Sequence, residues 1–447
     1  MKILFVENRY CTRIWHAVGQ QLLIHGHDVA YMIQNPVFAP KNAQCFLLPF
    51  PTAHHMTGRP CSEEKLSEKL RSDRAARYFL KSTRHYGHYM TEILKVVDSF
   101  RPDVIFGEPT QFHEILTIEI ARKRNIPYLF PSSTRYPAGR TVFFKYDTME
   151  PVGGEGVEMP WESASVLRQQ IVKRESVPSY MLPTTTPKWI KISNKIKDRI
   201  KISAGWLLGE RFITPSPLTK ILVEKRQSKL VEEWEKIALP SLPKDLNNGT
   251  FVLYAMQMQP ESNIDVWGYP WNDQTDLIIR AAAALEKVGG TLVIKPNPKS
   301  KYEITSELIR NLSHIQNVLV LSHKSKMDNV FPAVQGVLSV TGTVILECVL
   351  SQKPVAVLGE HELAKLPGVT NISAPEDVSK LVVQIRAGTE KRATEADGIG
   401  VLQQLYKDSY PGVMYDALNQ SDMAATENVK NIVSAFDAVL VHVVKND

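Results

Sequence analysis

Short apolar runs alternate with amphipathic stretches over two long parts of the chain, and the pattern breaks between them. Ile3 to Val6 predicts a buried strand, about Ile14 to Ile24 a helix closed by Gly26, and Asp28 to Ile33 a returning strand. Ser62 to Phe100 is charged, with helical spacing and the aromatics Tyr78, Phe79, Tyr86 and Tyr89. Val104 to Phe106 predicts another buried strand, about Phe112 to Arg124 a helix, Pro127 to Phe130 a strand, and Ser132 to Arg135 the loop after it. From Pro151 to about Pro243 the alternation is lost. It resumes at Thr250 with strands at Phe251 to Met256, Thr291 to Lys295, Val318 to Leu321, Val337 to Val340 and Pro354 to Leu358. Leu277 to Val288 reads as a helix, a further apolar helix carries Glu347, and about Ala425 to Val444 is amphipathic.

Strands joined through helices imply parallel sheets covered on both faces. The expected architecture is α/β: two Rossmann-like doubly wound domains facing each other, with a helical insertion. The expected parts are an N-terminal domain over 1–150, a basic helical or irregular insertion over 151–245, a nucleotide-sugar domain over 246–385 and a C-terminal helical segment over 386–447.

A length of 447 residues fits two or three domains, and 43% hydrophobic with 22% charged residues is ordinary for a soluble globular protein. No run reaches the ~18 apolar residues of a membrane span, and Met1 to Val6 reads as a strand, not a signal peptide. Cys11, Cys45, Cys61 and Cys348 lack metal-ligand spacing, which points to free thiols in a reducing cytoplasm, with no zinc site and no disulfide framework; neither a metal nor a cofactor is expected. Net charge is only +6, so its placement matters more than its size. Within 187–203, Trp189, Ile192, Ile196 and Ile200 share one helical stripe, and Lys188, Lys191, Lys195 and Arg199 the neighbouring one. Two readings stay open: a peripheral contact with an anionic membrane, or a core stripe with a solvated basic face. Basic residues gathered in one helix, without aromatic stacking loops, argue against a nucleic acid partner.

In open α/β sheets ligands bind beyond the carboxyl ends of strands. In the second domain those ends carry Gln259, Glu261, Lys295, Ser322, His323, Thr341, Gly342, Thr343 and Glu347: donors, a cation and carboxylates suited to phosphates and a ribose without metal. Thr341, Gly342 and Thr343 open the helix after a strand, where backbone N–H groups attract anions. Glu261 and Glu347 are candidate acceptors for hydroxyls. In the first domain Glu108 is a candidate general base or nucleophile, with Glu261 the second candidate catalytic carboxylate. Glu108 has a plainer reading, as partner of Arg135 or cap of the next helix. Arg9, Arg13 and Arg135 are candidates for an acceptor or anionic-ligand rim.

Three stretches carry a resemblance: Gln257-Met258-Gln259-Pro260-Glu261; Leu292 to Pro298, a strand ending in Lys295; and Val340-Thr341-Gly342-Thr343 through Glu347 to Gly359. They resemble the bacterial capsule polysaccharide biosynthesis family, which includes transferases using CMP-activated Kdo and related ulosonic acids on the glycosyltransferase-B scaffold. Gly107-Glu108-Pro109, Thr134-Arg135 and Gly139-Arg140 look like further family positions. Asn297 stands where the family usually has a histidine before proline, and the resemblance implies either that the histidine's contact with the donor phosphate passes to Lys295, Lys299 or His323, or that the donor differs. The implied function is a metal-independent glycosyltransferase, cytoplasmic and at the inner face of the membrane, moving an acidic sugar to a surface polysaccharide or glycolipid. The alternatives are a sugar-nucleotide epimerase, a CDP-polyol phosphotransferase, or a non-catalytic glycan-binding or assembly protein.

Overall fold

The computed structural model describes every residue except 8–12, 53–69, 71–72, 74–75, 77–82, 177–187, 214–215, 244–248, 301, 415–425 and 447; the side chains of Arg13, Lys188, Ile190, Lys191, Lys195, Asp198, Val444, Lys445 and Asn446 also fall outside the description. Arg9, the side chain of Arg13 and much of the helical reading over Ser62 to Phe100 therefore lie outside the described residues. The chain divides into two compact units. The first comprises Met1–Met159, Val177–Lys220 and Gln404–Asp447, the second Pro160–Ser176 and Ile221–Gln403.

The first unit is built on β1 (Lys2–Val6), β2 (Asp28–Ile33), β3 (Gln44–Leu47), β4 (Val104–Phe106), β5 (Tyr128–Ser133) and β6 (Arg140–Lys145). Their order across the sheet is β3-β2-β1-β4-β5-β6, followed by the two-residue strand Tyr410–Pro411. The first five run parallel; β6 is antiparallel to β5. Ser132 and Ser133, expected in a loop, belong to β5. Ile3 to Val6 and Val104 to Phe106 are fully buried, as strands covered on both faces must be. Gly26, at φ +85°, ends the helix Arg13–Ile24 in the left-handed region, which costs glycine least. The C-terminal helix Thr426–Asn446 returns to this sheet, placing Phe436 against Phe106, Phe143 and Phe5.

The second unit carries β7 (Thr250–Ala255), β8 (Gly290–Lys295), β9 (Val318–Val320), β10 (Gly336–Ser339), β11 (Val355–Leu358) and β12 (Val369–Ile372). The order is β12-β11-β10-β7-β8-β9, and every pairing is parallel. Its core joins these strands to the helices Gln274–Glu286 and Val378–Ala387. Both units are thus Rossmann-like. In each, strand order reverses beside the first strand, between β1 and β4 and between β7 and β10, and such a switch point opens a crevice at the carboxyl edge.

Candidate functional site

At the second switch point Leu338 pairs with Tyr254, so Thr341 and Gln257, each three residues on, leave the sheet side by side. Gln257 Nε2 donates to Thr341 Oγ1 at 2.9 Å, the Thr341 N–H donates to Gln257 Oε1 at 3.3 Å, and the Thr341 hydroxyl donates to the Asn263 carbonyl. Thr341 is fully buried, and its hydroxyl is engaged within the unit. The neighbouring Gly342 and Thr343 are half-exposed. The helix they open, Val344–Leu350, has seven residues, so its macrodipole is short.

A buried amide network supports this turn. Gln274 Nε2 donates to the Gln257 carbonyl at 2.7 Å and to Gln259 Oε1 at 3.1 Å, while Gln274 Oε1 accepts from Tyr254 and from the Gln257 N–H. Gln259 Nε2 donates to Asp265 at 2.6 Å and to the Asn272 carbonyl at 2.9 Å, and Asp265 also accepts the Glu261 N–H. His361, after β11, places Nε2 2.6 Å from the Val340 carbonyl, and burial lowers its pKa. Gln274 and His361 escaped the sequence reading; their signal was a polar side chain at a helix start or just past a buried strand.

Lys295 ends β8 level with Ala255. It is buried, its amine donates to the Pro296 carbonyl at 3.2 Å, and no carboxylate among the described residues pairs with it. Burial alone pushes its pKa down, as expected of an amine lacking an anion. Asn297 Oδ1 accepts the Lys299 N–H, shaping the loop that follows. On the neighbouring strand end, Ser322 donates to Glu235, whose other oxygen meets the His323 N–H and ring Nδ1. Burial pulls the Glu235 pKa up, but these hydrogen bonds outweigh it and leave the group below its ordinary value. His323 Nε2 is buried with no partner among the described residues. Glu347 takes Arg174 at 2.8 Å.

At the first switch point Phe5 pairs with Phe106, which sets Glu7 and Glu108 level. Glu7, which follows β1 directly, is buried; its carboxylate takes the His16 ring and its carbonyl accepts from His113 Nε2. Gly107 packs so closely on Tyr128 that a Cβ would overlap the phenol oxygen, and that phenol donates to the Glu108 carbonyl. Thr110 Oγ1 lies 3.3 Å from Glu108 Oε2 and 2.9 Å from Glu114 Oε2. It is Glu114 that caps the helix Phe112–Lys123, by accepting the Gln111 N–H. Burial, then the charge of Glu108, raises the Glu114 pKa well above the carboxylate range. Arg135 is half-buried. Arg140 is buried, clamping the returning chain through Ser409, the Tyr406 carbonyl and Glu155.

Residues 218–383 match the family model described as capsule polysaccharide biosynthesis protein. The family resemblance stands. The capsule-synthesis match takes in all six strands β7–β12. Among solved structures, the β-Kdo 2,7 transferase of Thermosulfurimonas dismutans KpsC is similar at 11% identity, over 98% of this chain and 100% of its own, with a TM-score of 0.38. The β-Kdo 2,4 transferase of the same KpsC is 12% identical over 76% and 87%, with a TM-score of 0.33. The UDP-GlcNAc 2-epimerase of Methanocaldococcus jannaschii, in complex with UDP-GlcNAc and UDP, is 10% identical over 91% and 99%, at 0.31. No curated protein sequence matches the chain.

Proposed function

We propose that the chain is a glycosyltransferase of capsule-type polysaccharide assembly, moving an acidic sugar of the ulosonic or sialic type from a CMP-activated donor to a polysaccharide or glycolipid acceptor. It acts in the cytoplasm at the inner face of a membrane. The observation that carries the reading is the capsule-synthesis match over a sheet whose carboxyl edge ends in Lys295, a buried cation with no carboxylate partner among the described residues. A desolvated amine in that position is what a donor phosphate would complete.

In this reading Lys295 meets the phosphate beside the half-exposed Gly342 and Thr343, and His323, whose Nδ1 proton is committed to Glu235, donates from Nε2 as the imidazolium. Asn297 keeps the loop after Lys295 in shape. Glu261 accepts a sugar or ribose hydroxyl. Glu347 does the same only by exchanging Arg174. Glu108 is the candidate general base, taking the proton of the acceptor hydroxyl as the acceptor oxygen bonds to the anomeric carbon and CMP leaves, or the candidate nucleophile, displacing CMP and being displaced in turn by the acceptor hydroxyl.

Purified protein incubated with CMP-sugars should release CMP, faster with acceptor, and Lys295→Ala should slow release by about a hundredfold. Binding and turnover of no nucleotide sugar would overturn the proposal. A donor whose sugar is epimerised in the absence of acceptor, with the nucleotide still attached, would identify an epimerase instead.

A further inference from the structure

We propose that the exposed face of the helix Lys188–Leu208 is an interfacial surface that seats the protein on an anionic lipid bilayer. Trp189, Ile192, Ile196, Ile200 and Leu207 are spaced by three, four, four and seven residues and so line one stripe. They are 71%, 59%, 53%, 64% and 74% exposed. The packed side of the same helix is the opposite one. There Gly205 is buried against Asn35, whose amide a Cβ would overlap, and Lys201 lies over the Phe38 ring at 5.2 Å. An apolar stripe turned away from the core is the reverse of an ordinary surface helix and marks a docking face.

Charge selects the occupant. The helix carries six basic residues and one acidic residue, Asp198, so most of the net +6 of the whole chain resides in it. Lys197 and Arg199 are exposed on the two sides of the stripe. A second copy docked across a two-fold axis would bring equal positive flanks together. Anionic headgroups would neutralise them, while the isoleucines enter the acyl boundary and Trp189 takes the headgroup level it favours. No helix among the described residues is long and apolar enough to cross a membrane, so the contact is with one surface. At the start of the next helix, Pro217–Ile237, Leu218, Ile221 and Leu222 are exposed as well.

The inference deepens the proposed location, and its test reads lipid binding, not transfer, so either reading can fail alone. The full chain is sedimented with vesicles of phosphatidylcholine, with or without one third phosphatidylglycerol. It should bind the anionic vesicles and release as salt rises. The triple variant Trp189→Ser, Ile192→Ser, Ile196→Ser should lose binding, and Lys197→Gln with Arg199→Gln should weaken it on the order of tenfold or more. The substituted side chains are solvated, so thermal melts should match the parent's; if the triple variant melts early, Ile196→Ser alone decides. No binding to anionic vesicles at low salt, or equal binding by the variants, overturns the proposal. A dimer that the triple variant dissociates, with lipid binding unchanged, assigns the stripe to a second copy. Lost lipid binding with donor hydrolysis intact supports the surface and leaves the transferase reading standing.

Discussion

His85 shows how little a residue's type says about its duty. Its ring is buried between Phe212 and Phe112, both nitrogens lack partners among the described residues, and burial lowers its pKa to about 3. His113 is likewise held down to about 4 by burial, despite its bond to the Glu7 carbonyl. Both rings titrate near 6.5 when exposed, so below that value the unfolded chain takes up protons that the folded chain refuses. Their contribution to stability is complete above pH 6.5 and falls as pH drops toward about 4 and then about 3. His85→Phe, which keeps an aromatic ring among Tyr86, Tyr89 and Phe112, should therefore flatten the loss of stability between pH 7 and 5; urea midpoints that fall as steeply as the parent's would remove this account. At the candidate sites the strand-end residues Lys295, Glu108 and Gln259 were legible, because buried apolar runs deliver polar side chains to one edge. Glu7 was not: nothing in its neighbours says that its carboxylate would be covered and paired with His16.

Among elements, the strands and helices with strong apolar periodicity appear nearly where the pattern puts them, within a residue or two for β1, β2, β8 and β11. β3, β6 and β12 were missed for a common reason. Gln44–Leu47 and Val369–Ile372 are edge strands that are only partly buried and carry polar residues, and Arg140–Lys145 follows a Pro- and Gly-bearing turn that reads as loop. The C-terminal helix was expected as a helix, but its partner was not. Phe436 lies with its ring centre 4.6 Å from that of Phe106 and 5.0 Å from that of Phe143, in the middle of the first unit's core. Phe436→Ala should cost about 3–5 kcal/mol, read as a lower urea midpoint. A cost below about 1 kcal/mol would show the helix to be peripheral to that core.

For the whole molecule, the two units repeat one strand order, yet only the second carries the capsule-synthesis match. If that unit holds the donor, CMP at a hundredfold excess over its Kd should add about 2.7 kcal/mol to its stability. Hydrogen exchange should then slow at Met256 to Glu261, after Lys295 and around Gly342, and protection confined to the first unit would contradict the assignment. The sequence alone determined that two doubly wound sheets form and which loops leave their carboxyl edges, because periodicity and strand-end polarity are local properties of the chain. Tertiary structure decided which of those polar groups are sealed into networks, as with Thr341, Gln257 and Gln274, and which keep a place for a partner, as with Lys295, whose amine meets the Pro296 carbonyl but no carboxylate among the described residues, and His323, whose Nε2 has no partner among them. It also turned the isoleucine stripe outward. The physical reason is that burial and pairing depend on residues far away in the chain, and no local pattern encodes them.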